Sequence, residues 1–208
     1  EWHYLWRLCH HPPRIFKAHQ RPVVALAFSA SGSQLATGDD HGNVKLWELP
    51  AYQPLGNLPP HDDGIRNLFF VHDDAELISV GAEGKIFRWD SRTCQRLGQL
   101  DNTAGQLTAA AISKDGALLA AAGADHRVQI WNLSSHTIQG EAQPLLKPVK
   151  DLVFDPSDEA LYVGYDNGRI RVLHSASGAE IPSPGLIVRG LETLFVTDAV
   201  PCLIACCA

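Results

Sequence analysis

A tryptophan-bearing pattern returns along this chain at a fixed interval, and that interval limits the possible folds more than any other feature. VKLWEL at Val44–Leu49 is followed by IFRWDS at Ile86, VQIWNL at Val128 and IRVLHS at Ile170. The marker position falls at Trp47, Trp89, Trp131 and Leu173, and 89 − 47, 131 − 89 and 173 − 131 are all 42. Phe28, Phe70, Ile112, Phe154 and Val196 keep the same step, as do Leu35, Leu77, Leu119, Leu161 and Leu203. Between the two members of each unit lies a polar turn, SASGSQ, VHDDAE, SKDGAL, DPSDEA or TDAVPC, which is the signature of a β-hairpin. A second tight turn (DDHG, AEG, ADHR or YDNG) leads into the marker strand, and a weaker stretch such as YQPLGNL or CQRLGQL follows it. Each unit therefore holds four short strands, and no unit has a face large enough to form a core alone.

Units of that kind must stack sheet on sheet, which buries both faces and leaves only short, protected edges. A period of about 40 to 45 residues with four strands per unit predicts an all-β fold, a β-propeller of four-stranded antiparallel blades. Composition agrees: 45% of residues are hydrophobic and 19% charged, and 17 Gly and 13 Pro punctuate apolar runs too short to span a bilayer. Net charge is −6 without a basic block, so a nucleic-acid footprint is not expected, nor is a membrane partner. The five cysteines, Cys9, Cys94, Cys202, Cys206 and Cys207, are odd in number and include no C-x-x-C pair. They read as free thiols in a reducing, cytoplasmic setting rather than as disulfides or a zinc site. Strand alternation would send Cys206 and Cys207 to opposite faces, against a shared ion. The sequence contains no methionine, and the expectation is a piece of a longer protein.

The units resemble WD-repeat propellers, with the likeness running from Ala18 to about Leu186. The Trp-Asp mark reads Trp47-Glu48, Trp89-Asp90, Trp131-Asn132 and Leu173-His174; the Gly-His mark reads Ala18-His19 and Pro60-His61, then fades to Asn102-Thr103 and Pro144-Leu145. The resemblance implies a buried tetrad of histidine, strand Ser or Thr, turn aspartate and tryptophan. Carried over by position, the first unit offers His19, Thr37 and Trp47, with His41 where the aspartate is expected. The second offers His61, Ser79 and Trp89, with Glu83 at the turn. The third keeps Asp125 and Trp131, and the fourth has Asn167 at the turn. No unit then has the full set, and a buried histidine without an acceptor would cost about 1 to 3 kcal/mol.

Blade periods fall at about 19–60, 61–102, 103–144 and 145–186, within one domain spanning 1–208. Residues 187–208 and 1–18 would make a split or incomplete blade, since His3 to Leu8, with Trp6, resembles a marker strand and Leu191 to Cys207 two preceding ones. Five periods of 42 would need 210 residues, against the 208 present. About five blades' worth of sequence is thus expected either as a closed five-bladed ring or as a fragment of a seven-bladed one, the latter being favoured.

Acid and imidazole meet at His61-Asp62-Asp63, His72-Asp73-Asp74, Asp39-Asp40-His41 and Asp125-His126, where metal or acid–base chemistry could be imagined. Their register places them at the repeat histidine and in turns, so no catalytic, metal or cofactor site is expected. No P-loop, G-x-S-x-G or G-x-G-x-x-G occurs. The resemblance implies a non-catalytic platform for protein or peptide partners. They would dock on the ring face that includes Arg21, Asp40, Asp63, Arg66, Glu83, Lys147, Lys150, Asp166 and Glu192, whose mixed signs suit selective recognition. Two alternatives are the C-terminal sensor of a multidomain signalling NTPase or kinase, and a hydrolytic or small-molecule-binding propeller.

Overall fold

Short runs of β-branched and aromatic residues, each bounded by Gly, Asp or Ser turns, become strands throughout. A computed structural model describes residues 15–100, 105–144, 147–187, 191–196 and 203–207, and within them every regular element is a β-strand. Blade 1 comprises β1 (Val23–Phe28), β2 (Gln34–Asp39), β3 (Val44–Glu48) and β4 (Gln53–Leu58). Blade 2 comprises β5 (Ile65–Val71), β6 (Glu76–Gly81), β7 (Ile86–Asp90) and β8 (Arg96–Leu100). Blade 3 comprises β9 (Leu107–Ile112), β10 (Leu118–Gly123), β11 (Val128–Asn132) and β12 (Thr137–Ala142). Blade 4 comprises β13 (Val149–Phe154), β14 (Ala160–Tyr165), β15 (Arg169–His174) and β16 (Glu180–Ile187). A two-stranded sheet of β17 (Leu191–Val196) and β18 (Leu203–Cys207) follows. All pairs are antiparallel between sequence neighbours, and the first strands of successive sheets lie side by side. The marker strand is third in each four-stranded blade.

Register divides each blade into two apolar faces. In blade 1, Phe28 lies opposite Leu35 and Leu35 opposite Trp47, so the three share one face; Ala27, Ala36 and Leu46 line up on the other. That second face packs on blade 2, where Ala25, Ala36, Val44 and Leu46 meet Leu68, Leu77, Phe87 and Trp89. The design repeats: Ile78, Val80 and Ile86 of blade 2 meet Leu119, Ala121 and Trp131 of blade 3. Ala109, Ala120, Val128 and Ile130 of blade 3 meet Leu152, Leu161, Val163 and Leu173 of blade 4. Trp89 and Trp131 are fully buried at these junctions, each worth about 1.5 to 3 kcal/mol or more of transfer free energy as large apolar side chains.

The His72-Asp73-Asp74 triplet does more than make a hairpin turn. All three residues are left-handed, with φ of 51°, 52° and 66°. The Asp74 carboxylate thereby reaches the hairpin of blade 1, accepting the N–H groups of Ala30 at 2.6 Å and Ser31 at 2.8 Å. Asp158, two periods further on, does the same for Lys114 at 2.8 Å and Asp115 at 3.0 Å. The residue between them in register is Gly116, so the junction of blades 2 and 3 lacks this carboxylate.

Candidate functional site

In blade 1, strand alternation points Thr37 and Asp39 of β2 to one side, and His19, just ahead of β1, lies against both. Trp47 Nε1 donates to Thr37 Oγ1 at 2.9 Å; Thr37 Oγ1 lies 2.7 Å from His19 Nε2, and His19 Nδ1 lies 3.0 Å from Asp39 Oδ2. With the proton on Nδ1, each group donates to the next: indole to hydroxyl, hydroxyl to imidazole, imidazole to carboxylate. Blade 2 repeats the chain, Trp89 to Ser79 at 2.8 Å, Ser79 to His61 at 2.7 Å and His61 to Glu83 at 2.6 Å.

Two blades therefore carry complete tetrads, and the expectation that none would, with His19 lacking an acceptor, is overturned. Asp39 supplies the carboxylate from the end of β2, two residues before the turn position. His41, which occupies that turn position, instead pairs at the surface with Asp40 at 2.9 Å. The register counterpart of Asp39 in blade 2 is Gly81. A Cβ there would stand 2.0 Å from Glu83 Oε2 and 2.3 Å from His61 Nδ1, so the bare glycine leaves room for the Glu83 carboxylate. Burial opposes ionisation of Asp39, but hydrogen bonds from Asn43, the His41 amide and His19 outweigh it and hold the carboxyl below its usual range. Burial depresses the basicity of His61, against the pull of Glu83, so the ring stays neutral more readily than a free histidine.

Blades 3 and 4 differ. Asp125 is exposed and serves the turn, accepting the Arg127 amide at 3.0 Å, rather than a tetrad. Trp131 is buried, beside Ala121 where blades 1 and 2 have Thr37 and Ser79. In blade 4, Tyr165 stands at the register of Asp39 and Arg171 at that of Lys45. The buried Arg171 guanidinium donates to the Gln143 carbonyl at 3.0 Å, to Tyr165 Oη at 3.3 Å and to Glu180 at 2.7 Å. Asp39 and this Arg171–Tyr165 cluster were not read from the sequence. Alternation from Thr37 would have found the first; nothing in the family pattern points to the second.

At the rim, one backbone bond recurs in all four blades: Asp40 to Pro22, Ala82 to Gly64, Ala124 to Gln106 and Asp166 to Pro148, at 2.8 to 3.2 Å. It sets the turn before each marker strand beside the segment ahead of each first strand. Gly42, at φ 82°, seats the blade 1 turn on blade 2, since a Cβ would come 2.5 Å from the His61 carbonyl. Arg21, Asp40, Asp63, Arg66, Lys147, Lys150 and Asp166 are exposed there. Glu83 is not a rim contact, because its carboxylate turns inward to His61. Trp6 and the Glu192 side chain lie outside the described residues, as do Cys9 and the side chains of Cys206 and Cys207. Asp40, Asp63 and Arg66 come together around a groove of about 180 Å³ between blades 1 and 2, floored by Val24, Ile65 and Ala82. Blade 3 offers Thr108 and Ala124 at the corresponding places, without charge. Among the described residues no group of His, Cys, Asp or Glu could hold a metal, and no helix is long and apolar enough to cross a membrane.

Four-stranded antiparallel blades, two of them tied by tryptophan–hydroxyl–histidine–carboxylate chains, define a WD-repeat fold. The chain carries WD40 repeats: the family model described as "WD domain, G-beta repeat" matches residues 10–48 and 94–132. Among its relatives are target of rapamycin complex subunit wat1 of Schizosaccharomyces pombe, 27% identical over 65% of this chain and 43% of that one, and transducin beta-like protein 3 of Rattus norvegicus, 29% identical over 79% and 22%. WD repeat-containing protein 55 of Bos taurus is 24% identical over 83% and 45%. The chain spans less than half the length of these relatives. A solved structure, the computationally designed Ika4 protein, superposes with a TM-score of 0.68 at 24% identity, covering 77% of this chain and 95% of that one, and so shares the fold.

Proposed function

We propose that the chain is a non-catalytic recognition module whose rim between blades 1 and 2 binds a protein or peptide partner. The observation that carries this reading is the groove of Asp40, Asp63 and Arg66. Opposite charges stand at the mouth of a small apolar floor, and no ion pair among the described residues engages Arg66. Charges of both signs at a rim select a partner with the complementary pattern and steer its approach. Lys147 and Lys150 on blade 4 extend the surface, while blade 3, between the two regions, has uncharged Thr108 and Ala124 at the places of Arg66 and Asp40. WD-repeat proteins generally act as scaffolds, and one relative is named as a subunit of a complex, which agrees with a protein partner. The reducing, cytoplasmic setting belongs to the same proposal.

Selection of a displayed peptide library on the purified chain, repeated with an Asp63→Lys/Arg66→Glu variant, tests the reading. Sequences enriched by the parent and lost with the variant are the expected result. Enrichment of the same sequences by both would place recognition elsewhere.

A further inference from the structure

The hairpins that join the first and second strands stand at the opposite end of each blade from the rim of Asp40, Asp63 and Arg66, because neighbouring strands run antiparallel. At that end, between blades 3 and 4, lies a groove of about 190 Å³. Ala111, Ile112, Val153, Phe154 and Pro156 line it with apolar surface, joined by Lys114 of one hairpin and Asp155 of the other. Blade 3 packs on blades 2 and 4, and blade 4 packs on blade 3 and on β17, whose Leu194 meets Ile170, so the groove belongs to an interior junction of the stack. It has room for one side chain and falls short of the ~300 Å³ at which sites for small molecules begin. The hairpins around it are acidic. Asp115, Asp155, Asp158 and Glu159 stand against one base, Lys114, so a net charge of −3, half of the chain's −6, gathers on two turns. The corresponding hairpin of blade 1, Ser29 to Ser33, carries no charge. Hydrogen bonds from the Ser113 hydroxyl and the Ala117 amide hold the Asp115 carboxyl below its usual range; burial opposes ionisation of Asp155, but bonds from Ser157 and Ala160 outweigh it. Both therefore stay charged at neutral pH. The acids do not converge on a point, since among the described residues no group of His, Cys, Asp or Glu could hold a metal ion. Asp155 instead accepts the Ala160 amide of its own turn, and Asp158 the amides of Lys114 and Asp115, which spreads negative charge around an apolar slot.

We infer that this groove docks a segment of a protein partner in which Lys or Arg residues flank one apolar side chain. The apolar residue enters the slot beside Ile112 and Val153, and the flanking cations meet the carboxylates of the two hairpins. Charge also sets the direction of the segment: Lys114 belongs to blade 3, whereas Asp155, Asp158 and Glu159 all belong to blade 4, so the cations gather over blade 4. An acidic segment or a phosphate backbone meets like charge there and is turned away. Because this surface and the rim of Asp40, Asp63 and Arg66 lie at opposite ends of the blades, one module can hold two partners at once.

Amide NMR of the purified chain, titrated with three capped peptides, KKLKK, KKSKK and EELEE, tests this. KKLKK should shift the amides of Ile112, Lys114, Val153 and Asp155. KKSKK should bind about tenfold or more weakly, because it has no apolar side chain to bury, and EELEE should not bind. Asp155→Asn with Glu159→Gln should weaken KKLKK several-fold, since the asparagine keeps an acceptor for the turn and loses the charge; Glu159→Gln alone serves if the pair fails to fold. Lys114→Glu should strengthen KKLKK binding, and added salt should weaken it. Equal binding of KKLKK and KKSKK would overturn the proposal by removing the groove from recognition. Shifts confined to other residues, such as Asp63 to Arg66, or no shifts at millimolar peptide, would overturn it as well.

Discussion

Blades 2 and 4 occupy equivalent places in the repeat and lock them with different chemistry. Blade 2 runs a chain from Trp89 through Ser79 and His61 to Glu83, joining the marker strand, the second strand, the segment ahead of the first strand and the turn. At the same registers blade 4 has Leu173 and Val163, both fully buried and apolar. Its cross-tie comes from the marker strand instead, where Arg171 reaches the Gln143 carbonyl ahead of the first strand, Tyr165 at the end of the second and Glu180 on the fourth. Interblade packing is therefore what the repeat requires, while the polar tie to the incoming segment can be made in more than one way. A half-built tetrad would be worse than either arrangement, because each buried donor left without an acceptor costs about 1 to 3 kcal/mol.

The strongest way to test that division is to remove the packing. Trp89→Ala should destabilise the domain by about 3 to 5 kcal/mol, and Leu173→Ala by about 2 to 5 kcal/mol, since both empty a fully buried junction. Denaturant melts read the difference. A loss below about 1 kcal/mol for either would mean that the apolar faces do not carry the stack.

Breaking the polar chain alone should cost less and should separate the blades. Ser79→Ala strands the Trp89 indole N–H and one His61 nitrogen, an expected loss of about 1 to 3 kcal/mol. Combined with Trp89→Phe it should be less than additive, because both changes remove the same bond. In blade 4 the matching hydroxyl should do harm rather than good: Val163→Ser buries a polar group among Leu152, Leu161 and Leu173. A neutral or stabilising Val163→Ser would show that blade 4 already holds a partner for it.

The period of 42 made the strands, the turns and the marker tryptophans legible, because side-chain alternation and interblade packing are written at every repeat. The tetrads were legible only in part. His19, Thr37 and Trp47 follow the family's spacing, but the carboxylate of blade 1 comes from Asp39, where the neighbouring blade has Gly81, and a position-by-position reading searched only the turn. The Arg171 cluster could not be read at all, since its three partners lie in segments with no spacing rule between them. Asp74 and Asp158 fall between these cases: they stand two periods apart, and a carboxylate recurring in register was the available clue to their common role.

Those two aspartates give a smaller and more local comparison. Each accepts two N–H groups from the adjacent hairpin, yet both are near the surface and screened. Asp74→Ala and Asp158→Ala should each cost about 1 kcal/mol, and their effects should add, because they lie at separate junctions. Replacing Gly116, the intervening register position, with Asp should create a third such bridge, since its φ of 70° is close to the 66° and 59° at which Asp74 and Asp158 stand and a Cβ there would meet only ordinary contacts at 3.9 Å or more. Thermal melts of the three variants decide it, and an Asp74→Ala chain as stable as the parent would show the bridge to contribute nothing.

The finest contrast is between the acids of blades 1 and 2 as pH falls. His61 is depressed below the usual histidine value near 6.5, chiefly by burial, so the unfolded chain takes up a proton there that the folded chain resists. Stability contributed by blade 2 should therefore decline as pH drops below about 6.5 and level off once the folded ring is itself protonated. Asp39 is held below the usual aspartate value of 3.8, so its contribution is present above that value and is lost only as pH falls through the lower folded value. The two tetrads should thus loosen in sequence, blade 2 in mild acid and blade 1 only in stronger acid. The indole N–H groups of Trp89 and Trp47 report on them separately, being bonded to Ser79 and Thr37. Followed by NMR through an acid titration, the Trp89 signal should begin to exchange with solvent while that of Trp47 remains protected. His61→Gln, which removes the titrating ring, should flatten the stability change between pH 7 and 5 that a free histidine value near 6.5 would otherwise drive. If both indoles lose protection together near the carboxylate range, His61 does not set the acid response of blade 2, and the two chains behave as one cooperative unit.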